Sequence, residues 1–302
     1  MSAHWKQQRE RASPRAVALA VRLALLLGRT PARLLLAPVV LYFFLCSPAL
    51  RRSSRAYLTR ALGRPPRAWD SLKQLYAFAA CTLDRVFLMA GRGASFEIRA
   101  HDPGELLRHA AGQRGSLVLV SHLGSFDVLR VLGRERKGLR FAIVMDRAHG
   151  EATQSALERV NPAEAPEVID ANDGPLLAMR IKEALDRGLC VGLMADRVRN
   201  SAQAATVEFL GAPAAFPADP WALAAVLGVP VILCFGLYRG GRRYDLHLEK
   251  FAERVEAPRA QRAAAVQAHA QRYAGRLAHY ARQAPYNWFN FYDYWNDEAA
   301  AG

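Results

Sequence analysis

The apolar run Ser116-Leu117-Val118-Leu119-Val120 is followed at once by Ser121-His122-Leu123-Gly124-Ser125-Phe126-Asp127. A short run without polar alternation fits a strand covered on both faces, as in a parallel sheet walled by helices. Such sheets hold their substrates in the crevice beyond the carboxyl ends of the strands. His122 is therefore expected at that edge, with the chain turning through Gly124 into a helix. Asp127, in the first turn after the glycine, can return to the imidazole, fix its tautomer and leave the other nitrogen as a general base. The alternative is a core histidine beside an aspartate that only caps a helix.

The rest of the chain keeps a strand and helix rhythm. Trp69, Leu72, Leu75, Tyr76, Ala79, Leu83, Val86 and Phe87 recur at steps of three and four and predict a helix over about 68–92. Residues 95–99 read as a short alternating strand and 103–111 as a helix. Further strands are expected at 141–144, 167–170, 190–194 and 230–235, with an edge piece at 207–211 and an antiparallel strand at 244–248. Helices are expected at 174–187 and 220–227. Another follows at 257–284, where Val266, Ala270, Tyr273, Leu277 and Tyr280 share one face. The pattern specifies an α/β fold, a mostly parallel central sheet flanked by helices. Polar residues fall at three strand ends: His122 with Asp127, Arg147, and Asp196 with Arg197. Their common position points to one shared crevice. Seven of the eleven residues 285–295 are aromatic. They form either a last strand at the core edge or an aromatic wall beside an acyl chain or a headgroup.

Of a formal net charge of +14, eleven charges lie in the first seventy residues, which hold thirteen basic side chains and two acidic ones. This asymmetry calls for an anionic partner. Two apolar stretches, 16–27 and 34–46, interrupt the basic region, each shorter than the roughly 20 residues of a comfortable membrane span. They are expected to form a helical hairpin or one bent helix in a single leaflet, or else a helical pair packed on the globular part. The arginines alternate with aliphatic runs and not with stacking aromatics, which argues against nucleic acid. Arg51, Arg52 and Arg55 follow the apolar segment, unlike the end of a cleaved signal peptide. The four cysteines are scattered in apolar stretches with no disulfide framework or metal spacing, which suits the cytoplasmic side of a membrane. Residues 1–67 are thus expected to be a membrane-association segment, and 68–302 the catalytic domain.

The HxxxxD spacing after a buried strand, the basic and apolar anchor, and Trp288 near the C-terminal end together resemble the bacterial lipid A biosynthesis acyltransferase family. This is a branch of the lysophospholipid acyltransferase superfamily. The resemblance implies that His122 and Asp127 are the catalytic pair. It also implies a substrate-binding set of Gly124, Arg147, Asp196, Arg197, Phe209, Gly211 and Pro217, the last three in a loop leading to an acyl-pocket helix. No metal or cofactor is implied. The donor would be acyl carrier protein or an acyl-coenzyme A, and the acceptor a hydroxyl of a membrane lipid or glycolipid at the cytoplasmic face of the bacterial inner membrane. Two departures stand out. Asp219 replaces the family's glycine in Phe216-Pro217-Ala218-Asp219-Pro220, and Trp288 is followed by Phe289, Asn290, Phe291, Tyr292 and Asp293 instead of basic residues. The chain looks closer to members that serve other bacterial lipids, including aryl polyene pigments.

No serine or cysteine stands in a nucleophile elbow, so direct transfer is expected rather than an acyl-enzyme. Backbone N–H groups near Gly124, or Arg147, would hold the oxyanion. The arginines from Arg51 to Arg67 would meet an acidic carrier. Two other classes share these features: a thioesterase using the same His-Asp pair on water, and a non-catalytic protein that binds anionic lipid.

Overall fold

A strand buried on both faces needs partners on both edges and helices above and below. The chain supplies both. The computed structural model describes residues 14–102, 104, 108, 115–135, 139–146, 161, 166–199 and 203–295. It opens with helices α1 (Pro14–Leu27), α2 (Arg29–Cys46), α3 (Pro48–Leu62) and α4 (Ala68–Met89). Strands β1 (Glu97–His101) and β2 (Ser116–Val120), helix α5 (Val128–Glu135), and strands β3 (Phe141–Met145) and β4 (Glu167–Asp170) follow. Then come α6 (Leu176–Asp186), β5 (Cys190–Met194), β6 (Ala204–Phe209), β7 (Ala212–Pro217) and α7 (Asp219–Leu227). Strands β8 (Val231–Tyr238) and β9 (Arg243–Ala252) precede α8 (Arg262–Gln283).

Seven strands form one sheet in the order β1-β9-β8-β2-β5-β3-β4. Strands β8, β2, β5, β3 and β4 run parallel; β9 is antiparallel to β8 and parallel to β1. The expected mostly parallel sheet is therefore present, with β2 at its centre. Side chains alternate across a strand. Leu117 and Leu119 enter the core with α3, α6, α7 and α8, while Val118 and Val120 enter the opposite core with α4 and α5. Burial on both faces is why this run has no polar alternation, and each such side chain contributes about 1.5–3 kcal/mol. Val266, Ala270, Tyr273, Leu277 and Tyr280 of α8 are all buried, as their spacing required.

Three elements differ from the sequence reading. Strand β1 starts at Glu97 because residues Gly93–Ser95 form a 3-10 turn closed by Phe96 N–H on Gly93 O at 2.9 Å. The edge piece at 207–211 is half of a separate two-stranded hairpin, β6 with β7. Its loop is Leu210-Gly211 with φ of 53° and 82°, a two-residue turn that glycine adopts cheaply. Residues 285–295 pair with the body through a single bridge, Leu123 to Trp288, because their polar groups are turned toward the loops beyond β2 and β5. Most of the helix expected at 103–111 lies outside the described residues.

At the N-terminal end, Gly28 at φ 82° separates α1 from α2. By length and composition α2 can cross a membrane, at 18 residues and a mean hydropathy of 1.4. One side of this pair packs on the body, burying Val21, Ala24, Ala32 and Val40. The Arg29 guanidinium bonds both carboxylate oxygens of Asp84 in α4, at 2.7 and 2.8 Å. Asp84 is fully buried and also accepts from the Tyr244 hydroxyl at 2.8 Å. The other side stays open, with Leu26 82%, Leu34 73%, Tyr42 61% and Leu45 61% exposed. The buried side fits the expectation of a helical pair packed on the globular part, and the other side is exposed apolar surface.

Candidate active site

Strands β2 and β5 are paired so that Val120 lies opposite Met194, and Ala195 N–H bonds Val120 O at 3.0 Å. Two residues beyond each strand, a polar side chain is delivered to the same place. His122 Nδ1 lies 2.8 Å from Asp196 Oδ1, and the His122 backbone N–H donates to Asp196 Oδ2 at 2.9 Å. Asp196 is fully buried, while a quarter of the His122 side chain remains accessible. Two more donors reach Asp196 Oδ2: Trp288 Nε1 at 3.0 Å and Asn290 Nδ2 at 3.2 Å.

This geometry corrects one expectation. The partner of the imidazole is Asp196, not Asp127. Asp127 is buried behind the turn and pairs with Arg85 of α4, Nε to Oδ2 at 3.3 Å. A carboxylate surrounded by donors must carry the acceptor role, so Nδ1 holds the proton and Nε2 is left with its lone pair. Burial, then the nearby Arg197 charge, lowers the His122 pKa below 6.5, although Asp196 opposes both. Burial alone would raise the Asp196 pKa, but His122, Arg197 and the backbone N–H outweigh it and hold the carboxyl low. The result is a neutral imidazole oriented by an ionised carboxylate, with the basic nitrogen directed away from that carboxylate.

The turn that carries His122 depends on close backbone approach. Gly124 has φ 69°, and a Cβ there would stand 1.9 Å from Gly236 O of β8. Its N–H donates to Asn287 O at 2.8 Å, and Ser125 N–H donates to Gly236 O at 2.8 Å. These two N–H groups hold the turn and are already engaged by backbone carbonyls. Arg147, the other group expected at the oxyanion, lies outside the described residues.

The remaining expected site residues sort by what they touch. Arg197 donates to Asn290 Oδ1 at 2.5 Å and to Phe289 O at 3.0 Å, bracing the segment that bears Trp288. Phe209 is fully buried and packs against Trp288, ring centres 5.2 Å apart, so it supports the site from behind. Gly211 forms the hairpin turn and Pro217 ends β7. Three participants were not singled out in the sequence as site residues. Trp288 and Asn290 grip Asp196, and Gln74 Nε2 donates to Trp288 O at 2.6 Å. The asparagines alternating with aromatics in Asn287-Trp288-Phe289-Asn290 were the available signal, since polar groups in such a run need buried partners.

Over residues 86–297 the chain matches the family model described as bacterial lipid A biosynthesis acyltransferase. No curated protein matches the chain at a significant level.

Proposed function

The chain belongs to the bacterial lipid A biosynthesis acyltransferase family, and on that premise we propose that it is a membrane-associated O-acyltransferase with His122 as general base. The acyl group comes from a thioester, carried by acyl carrier protein or coenzyme A. The acceptor is a hydroxyl of a lipid or glycolipid at the cytoplasmic face of the bacterial inner membrane. The observation that carries this reading is the His122 ring, held through Nδ1 by buried Asp196 and still open to solvent.

In the reaction, His122 Nε2 takes the proton of the acceptor hydroxyl as that oxygen forms a bond to the thioester carbonyl carbon. Asp196 stabilises the imidazolium. When the tetrahedral intermediate collapses, the C–S bond breaks and the imidazolium returns its proton to the leaving thiolate. General-base assistance of this kind is worth about 10²- to 10⁴-fold in rate. Asp127 supports the turn through Arg85.

Residues 1–67 serve as the membrane-association segment, with the open face of α1 and α2 in the leaflet; 68–302 form the catalytic domain. The aromatic and acidic residues after Trp288, where the family carries basic ones, favour an acceptor other than a bis-phosphorylated disaccharide, as in members acting in aryl polyene pathways. Mass spectrometry of lipids from cells with and without the protein tests the assignment. An acylated lipid should disappear with the gene and return with the wild-type chain but not with His122→Ala. Accumulation of free fatty acid from thioester in purified reactions, with no acylated lipid, would favour hydrolysis.

A further inference from the structure

A cleft of about 350 Å³ opens where the end of α2, the first turns of α3 and the start of α4 meet. Arg51, Arg52, Arg55 and Arg67 line it, with Phe44 and Pro48 forming the apolar wall. Four cations around one concavity repel one another unless something negative sits among them. Among the described residues no acidic side chain lines it. Arg51 is turned onto the carbonyls of Phe44 and Leu45. Arg52, Arg55 and Arg67 have no acidic partner among the described residues. The nearest acid in sequence, Asp70, is already held by Arg64 at 3.0 and 3.2 Å, by the Tyr286 hydroxyl and by the Arg67 backbone N–H, each at 2.8 Å. The first turn of α3 carries no acidic residue.

The position of the cleft identifies the anion. Leu41, Tyr42, Phe43 and Leu45, on the last turns of α2, are 44–61% exposed and border the arginines. An apolar surface ending in a ring of arginines matches the boundary between acyl chains and headgroups. Guanidinium groups bind phosphate oxygens in paired, charge-assisted hydrogen bonds. We propose that this cleft binds the phosphate headgroup of an anionic lipid, separately from the His122 site. The proposal rests on the membrane-associated reading above and gives that reading a specific lipid contact. A soluble acidic carrier protein is the competing occupant, but it would leave the bordering apolar residues of α2 uncovered.

The test is calorimetric titration of the intact protein in detergent with dihexanoyl phosphatidate, dihexanoyl phosphatidylcholine and inorganic phosphate. The variant Arg52→Gln/Arg55→Gln/Arg67→Gln spares Arg51, whose bonds end α2. The control Arg242→Gln/Arg259→Gln/Arg262→Gln removes the same charge from other exposed sites. Wild type and control should bind phosphatidate alike, and the cleft variant at least about tenfold more weakly, since each arginine near an anionic surface contributes appreciably. Phosphatidylcholine and inorganic phosphate should bind far more weakly than phosphatidate. Equal losses in the two variants, or no loss in the cleft variant, would overturn the proposal. So would inorganic phosphate binding as tightly as phosphatidate, or, in a parallel titration with an acidic carrier protein, a loss confined to that carrier. Flotation with neutral phosphatidylcholine vesicles tests the membrane reading separately; its failure leaves the titration to decide the cleft.

Discussion

Asp196 receives donors from the His122 ring and backbone, from Trp288 and from Asn290, so removing its charge changes the ring more than the surrounding packing. The carboxylate raises the His122 pKa against burial and Arg197. In Asp196→Asn that support is lost and the imidazole pKa falls further below 6.5. The acid limb of kcat/KM is therefore expected to move to lower pH, while the plateau drops because Nδ1 no longer has a fixed acceptor. A pH-rate profile whose acid limb moves upward would contradict this. Asp127→Asn should lower the melting temperature through loss of Arg85 and leave the acid limb in place. His122, Asp127 and Asp196 were all legible in the sequence as residues at strand ends, but their pairing was not. Asp127 is five positions from the histidine and Asp196 is 74, so proximity in sequence favoured the wrong carboxylate. The pairing follows from the register of β2 on β5, which puts Val120 opposite Met194 and so brings the residues two positions beyond each strand together. Asp127 falls after the Gly124 turn, where its side chain meets α4 instead.

Among the elements, the turn after β2 and the dock of α2 on α4 carry the sharpest energetic demands. Gly124→Ala would put a Cβ 1.9 Å from Gly236 O at a φ of 69°. Left-handed backbone and overpacking together are expected to cost about 2–4 kcal/mol, read as a lower urea midpoint. A wild-type midpoint would show that the turn is not held as described. Arg29→Met strands the fully buried Asp84 carboxylate and should cost about 3–5 kcal/mol, with part of the loss recovered by adding Asp84→Asn. Element type was readable wherever one period dominated, as in β2 and in the buried face of α8. It failed where chemistry lay outside the period. The hairpin at Leu210-Gly211 depends on two positive φ angles, and the segment 285–295 is fixed by side-chain bonds to Asp196 and to backbone instead of by a ladder. In α1 and α2 apolar residues occur on all sides, so periodicity could not say which face would pack on α4.

At the scale of the whole molecule, the clustering of charge in the first seventy residues was plain in the sequence, whereas the joint use of α1 and α2 by the body and by solvent required the packed structure. Replacing the exposed Leu26, Leu34, Tyr42 and Leu45 with glutamine should leave the urea midpoint nearly unchanged and sharply lower recovery with membranes, because those side chains bury little within the protein. Acidification should act on the entire fold. Burial lowers the pKa of both His122 and His247 in the folded chain, so the unfolded chain binds more protons below pH 6.5. Stability is then full above that pH and declines as pH falls through it, with a further loss as Asp196, held low in the fold, begins to protonate. The most direct measurement is steady-state transfer by purified wild type and His122→Ala, with a defined acyl thioester and lipid acceptor in detergent, after confirming equal melting temperatures. Turnover by His122→Ala should fall about 10²- to 10⁴-fold; retention of wild-type turnover by a folded His122→Ala would contradict the assignment of His122 as the base.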